Sequence, residues 1–166
     1  VNGIYDQRTL EAVVSMGIKH LGFCFRPLSP YLMASNIFID EILPKIPFGS
    51  FLYLEFESQL DPMIRYLSEK LASRNEAFQR VSICLVKITG NEECLFHSNQ
   101  ILEIKYDEEN LKEAKFLKKV SGLNLNYSQL QDMRKGQKFN HFFSSLEQFS
   151  LRDELELEIR VSSESL

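Results

Sequence analysis

Short apolar runs rich in β-branched and aromatic residues recur along the chain, with helical patterns between several of them. That period constrains the fold more than any single motif, because it marks βα units wound around a parallel sheet and hence the α/β class. A first strand is expected as a stub at Gly3-Ile4, followed by a helix capped by Asp6, carrying Leu10, Val13 and Val14 and ending at Gly17. A second strand spans His20 to Phe25, and Arg26 to Pro30 forms a proline-punctuated loop. The pattern from Ser35 through Ile37, Ile39, Ile42 and Leu43 predicts a second helix, stopped by Pro44 and Pro47.

Phe51 to Phe56 reads as the third strand, and Asp61-Pro62 opens a helix with Met63, Ile64, Leu67 and Leu71 at helical spacing. Val81 to Ile88 is the fourth strand. Thr89 to Asn99 leaves little room for a helix, so that crossover is expected to be a loop or a single turn. Ile101 to Tyr106 is the fifth strand, and Glu108 to Val120, with Leu111, Ala114, Phe116 and Leu117, reads as a surface helix. Gly122 is expected to break it before a sixth strand at Leu123 to Asn126, with Ser128 capping the next helix. Phe139 to Phe143 and Leu155 to Val161, with a short segment around Leu146 to Leu151 between them, supply strands seven and eight.

Eight strands in 166 residues is tight, since a (β/α)8 barrel usually needs ~200 or more. The expectation is therefore a compact TIM barrel over residues 1–166, a single domain with some crossover helices missing, notably after strands four and eight. Acids and bases are scattered through a chain of net charge -4, so no basic stripe invites a phosphate backbone and nucleic acid is not an expected partner. No apolar run is long enough for a membrane span and no basic-then-apolar leader opens the chain, which predicts a soluble cytoplasmic protein with no membrane partner. Cys24, Cys84 and Cys94 lack CxxC spacing, and His20, His97 and His141 are far apart, so no metal site is expected. Phe38, Phe51, Phe56, Phe116, Phe139 and Phe143 are core candidates.

Gly3-Ile4, Leu10 to Ala12, Gly17, and the run Leu21-Gly22-Phe23-Cys24-Phe25-Arg26-Pro27-Leu28-Ser29-Pro30 follow in a distinctive order. This opening resembles that of phosphoribosylanthranilate isomerases, which carry a K-I-C-G-I strand, a short helix, an L-G-F-x-F strand and an S-P-R loop. Thinner echoes continue at Leu60 and the helix after it, at Val86 to Gly90, and at Val161-Ser162-Ser163. The resemblance implies a barrel with its ligand at the C-terminal strand ends. It also implies that the sequence begins inside the first strand, because a lysine and a hydrophobe normally precede this point in the family.

The family's reaction is an Amadori rearrangement, an intramolecular oxidoreduction from aminoaldose to aminoketose, with a cysteine base and an aspartate acid. Asn2 stands at the base position, and an amide cannot shuttle a proton. The acid position falls on Asn126 if Leu123 to Asn126 is strand six. It falls on Asp107 if Ser121-Gly122-Leu123-Asn124 matches the family's strand-seven G-G-L-N. The loop arginine is replaced by Tyr31. The glycine-rich phosphate turns are replaced by Ser144-Ser145 and by Ser162-Ser163-Glu164, where Glu164 adds negative charge.

Arg26, Ser29, Tyr31, Ser144, Ser145, Ser162 and Ser163 are thus the candidate ligand-binding residues, with Asn2, Arg26, Tyr31 and Ser162 expected at one rim. Glu55, Glu57, Lys87, Lys105 and Arg160 form either a paired interior network or outward positions left bare by a missing helix. No cofactor is implied. The expected function is a non-catalytic isomerase-like barrel that binds a phosphorylated or other anionic small molecule, or a protein partner. The alternatives are a working isomerase of tryptophan biosynthesis and a structural interaction module.

Overall fold

The structure is a computed structural model, describing residues 1–89, 100–105, 120–135, 142, 144 and 158–162. Its frame is an all-parallel sheet of six strands: β1 (His20–Cys24), β2 (Ser50–Ser58), β3 (Phe78–Lys87), β4 (Ile101–Lys105), β5 (Val120–Asn126) and β6 (Glu158–Ser162). Spatial order equals chain order from β1 to β6. Each strand lies beside its predecessor, so the sheet winds in one direction without the reversal of a doubly wound fold. The sheet is thus α/β with the strand order of a barrel. Among the described residues it is open, because no pairing joins β6 back to the start.

Residues 1–4 extend the other edge. The Val1 nitrogen bonds the His20 carbonyl, Gly22 N–H donates to Val1 and Ile4 N–H donates to Gly22. The expected first strand is therefore present as a short, irregular parallel segment.

α1 (Gln7–Ser15) starts where Asp6 accepts from the Thr9 N–H at 2.7 Å and ends at Gly17. It buries Leu10 and Val13. α2 (Ser35–Ile37) is a single turn that passes into a π turn at Phe38–Ile42 and a 3-10 turn at Leu43–Lys45. The predicted continuous α-helix is corrected here. Pro44 offers no N–H to the ladder, and the π turn rotates the chain so that Phe38, Ile42 and Leu43 are all buried. α3 (Pro62–Ala72) is capped by Asp61, whose carboxylate accepts from Met63 N–H at 2.9 Å, and buries Ile64, Leu67 and Leu71. α4 (Tyr127–Lys135) follows β5 directly and takes Ser128 inside its first turn, one step beyond the expected cap.

Three further expectations are corrected. Val120 is the first residue of β5, not the last of a helix, and Gly122 lies inside that strand opposite Glu103. Cross-strand pairing overrides the local breaking tendency of glycine. Phe142, the one described residue of the seventh strand expected at Phe139 to Phe143, is helical and buried, and β5 pairs directly with β6. Phe51 is only partly buried and sits on the opposite face from the core, whereas Phe38 and Phe56 are fully buried. The expected helix over 108–119, the truncated crossover over 90–99, Phe116, Phe139, Phe143, Cys94, His97 and His141 lie outside the described residues.

One apolar cluster joins the helices to one sheet face, with Leu21, Phe23, Leu52, Leu54, Phe56, Ile83, Leu85, Leu102, Ile104, Leu123 and Leu125 on the strands. Period-two alternation sends the intervening residues to the other face. Phe38 crosses Phe23 and Phe25 edge-on at 4.9 and 5.4 Å between ring centres, the geometry aromatic pairs favour. Among the described residues no helix is long and apolar enough to cross a membrane.

Candidate functional site

Alternation along β2 sorts its side chains cleanly. Leu52, Leu54 and Phe56 join the helix-side core, so Phe51, Tyr53, Glu55 and Glu57 take the opposite face. Register then carries that polar face across the sheet, aligning Cys24 with Glu55, Glu55 with Cys84, and Cys84 with Glu103. Thiols and carboxylates alternate along this row. The Cys24 thiol points at Glu55 Oε1 at 3.7 Å, and the Cys84 thiol at Glu103 Oε2 at 3.8 Å. Glu103, only 3% exposed, also has Arg80 Nη2 at 3.8 Å from its other oxygen. A carboxylate so deeply buried needs such partners, because an isolated charge there is strongly disfavoured.

Toward the C-terminal strand ends this row opens into a rim of paired charges. Arg26, just past β1, donates from Nη1 to Glu55 Oε1 at 2.9 Å and from Nε to Glu57 Oε2 at 3.0 Å. Lys87, the last residue of β3, reaches Glu57 Oε1 at 3.7 Å. The two glutamates are two residues apart on one strand, so one guanidinium spans both. The Arg26 and Glu55 side chains are 34% and 35% exposed, so each pair contributes at most about 1 kcal/mol after solvent screening. Their larger effect is to fix orientation.

Burial alone would lower the pKa of Arg26, but hydrogen bonds and charge from Glu55 and Glu57 carry it above the ordinary arginine value. Burial pushes the Cys24 thiol up, and the nearby Glu55 charge adds to this. A Ser29 side-chain hydrogen bond, the Arg26 backbone and the Arg26 charge oppose it without reversing it. Cys24 is thus held as a neutral thiol, a poor nucleophile.

The loop over residues 26–33 folds back on this end. Met33 N–H donates to the Cys24 carbonyl at 2.7 Å, and Leu32 forms a bridge to Cys24. Tyr31 N–H donates to Ser29 Oγ at 3.1 Å, which aims the Tyr31 ring at Gly3. A Cβ on Gly3 would come within 3.2 Å of that ring, and the residue has φ 81°, so glycine suits it on both counts. Tyr5 flanks Tyr31 with ring centres 6.3 Å apart. Asn2 lies across Gly22, where any Cβ would collide with its Oδ1 and approach its Cα to 3.0 Å.

The expected residues are therefore only partly gathered. Asn2, Arg26, Ser29 and Tyr31 surround the end of β1. Asn126 and Ser162 are register partners that close β5 and β6, at the same end of the sheet but across four intervening strands from β1 in the case of Ser162. Ser144 is exposed and helical. Asp107, Ser145, Ser163 and Glu164 lie outside the described residues.

The sequence reading missed the direct grip of Glu55 and Glu57 on Arg26, and the thiol–carboxylate row. The alternating Glu55 and Glu57 were the available signal. Their distance from Arg26 in the chain hid the pairing. Lys87 joins the same network, which favours the paired reading of the strand charges. At the opposite strand ends, His20 stacks on Phe51 at 4.3 Å and its Nδ1 lies 2.9 Å from the Tyr53 hydroxyl.

Among the described residues no group of three or more histidine, cysteine, aspartate or glutamate side chains is placed to chelate a metal. The fold and site define a singly wound parallel α/β protein with a charge-paired rim at its C-terminal strand ends. No known family model, curated protein or solved structure matches the chain.

Proposed function

We propose that this chain is a diverged, non-catalytic relative of phosphoribosylanthranilate isomerase, curled into a compact barrel, that binds a small charged metabolite at the C-terminal strand ends. Single winding supports the barrel, because right-handed crossovers then place every helix on one face. The other face is also buried at Ser82, Cys84 and Glu103. Parallel sheets are covered on both sides, and curling the sheet on itself supplies that cover. The two buried thiols, Cys24 and Cys84, suit a reducing cytoplasm.

The observation that carries the non-catalytic reading is the placement of Asn2. Its amide lies across Gly22 at the strand where the resemblance puts the catalytic base. Asn126 ends β5, where one threading puts the acid. Amides can orient a substrate but carry no proton near neutral pH. General acid–base catalysis contributes about 10²- to 10⁴-fold per group, so losing both leaves little rate. Cys24 does not stand in, since it is held as the thiol.

The test is turnover of phosphoribosylanthranilate at high protein concentration. None is expected from the natural sequence or from Asn2→Cys, because the rim arginine is already engaged by two carboxylates. Turnover that disappears on Asp107→Ala or Asn126→Ala would establish the working isomerase instead.

A further inference from the structure

We propose that the rim around Arg26 selects a zwitterion, a small molecule carrying an ammonium and a carboxylate on neighbouring atoms as an amino acid does, in preference to a bare anion. This rests on the reading of the rim as a ligand site and names its ligand class. Arg26, Lys87, Glu55 and Glu57 form one connected chain of two cations and two anions. A lone phosphate or carboxylate that approaches Arg26 also meets the Glu55 and Glu57 carboxylates, and that repulsion offsets the attraction. A lone amine meets the guanidinium in the same way. A molecule with both charges satisfies both signs at once.

The unused valences point the same way. Arg26 spends Nε and Nη1 on the two glutamates, and Glu55 uses Oε1 for both Arg26 and Cys24. Among the described residues, Arg26 Nη2 and Glu55 Oε2 make no hydrogen bond. One offers two N–H donors and the other a carboxylate acceptor, on residues already joined through Nη1 and Oε1. Both side chains are about one-third exposed, which leaves them reachable. Glu55 sits on a strand, so its position is rigid and the donor–acceptor pair is preorganised.

The experiment is a thermal-shift and NMR titration of the full chain with the twenty common amino acids. Each is set against its deaminated acid and its decarboxylated amine, with inorganic phosphate and ribose 5-phosphate as anion probes. At least one amino acid should bind ten-fold or more tighter than its acid, its amine and both phosphates, and shift the Arg26 side-chain signal. Glu55→Gln should lose ten-fold or more in affinity for the zwitterion and leave binding of the acid unchanged or stronger. Lys87→Gln, at an exposed residue, should weaken the zwitterion by a smaller factor and serves if Glu55→Gln fails to fold. A phosphate or deaminated acid that binds at the rim as tightly as any amino acid overturns the zwitterion and leaves the ligand site standing. If no probe shifts the rim, the ligand site falls as well.

Discussion

Gly22 supports Asn2 directly, so the first side-chain atom added there acts on the N-terminal segment. Gly22→Ala should destabilise the fold by about 1–3 kcal/mol in urea titrations, the usual cost of overpacking, and Asn2→Gly should recover part of it by removing the colliding Oδ1. Asp6 gives a pH dependence. The Thr9 side chain and its N–H hold the Asp6 carboxyl below the ordinary carboxylate range. A depressed folded pKa means that its stabilisation is complete above the unfolded value and is lost as pH falls through the folded one. Asp6→Asn should therefore flatten the stability profile below about pH 4. For Cys24 the sign reverses: with the native thiol's pKa raised, its contribution is present below about pH 8.5 and fades as pH climbs. Alkylation of Cys24 by iodoacetamide should be slow at pH 8 in the native chain and fast in urea. That Asn2, Arg26 and Tyr31 come together around β1 was legible from local order and spacing. Their partners were not, because cross-strand register joins Arg26 to residues 29 and 31 positions away, a relation that no local pattern carries.

The helices α1 and α3 were readable because their signals are local: an aspartate cap, apolar residues at helical spacing and, for α3, a proline in the first turn. Strands β1 to β4 were readable from their apolar runs for the same reason. The reading failed where tertiary contacts decide the outcome. Gly122 looks like a breaker but is paired on both sides, opposite Glu103 and Glu158. Likewise the 35–45 segment shows a helical period, yet Pro44 and the inward demand of Phe38, Ile42 and Leu43 divide it into three turn types. Phe38 is the anchor of this segment, fully buried against Phe23 and Phe25. Phe38→Ala should cost about 3–5 kcal/mol in chemical denaturation, whereas Phe48→Ala, at an exposed position, should fall within about 0.5 kcal/mol of the parent.

At the scale of the whole molecule, the α/β class and the parallel winding of the described strands were legible from the period of the sequence. A parallel strand announces itself by an apolar run, but only pairing shows whether a residue of that run enters the sheet, and Phe142 is helical. The central claim is that this sheet curls until its strand ends form one rim, bringing the residues around β1 near those that close β6. A distance measured by pulsed electron resonance tests it, with spin labels on Tyr5→Cys and Ser162→Cys in a Cys94→Ser chain that leaves the buried Cys24 and Cys84 in place. Residues 1–4 and the six strands give six spacings of ~4.8 Å across a flat sheet, roughly 29 Å between backbones. A curled barrel predicts a single distance below about 20 Å, and a distance at or beyond the flat-sheet value of roughly 29 Å would contradict it.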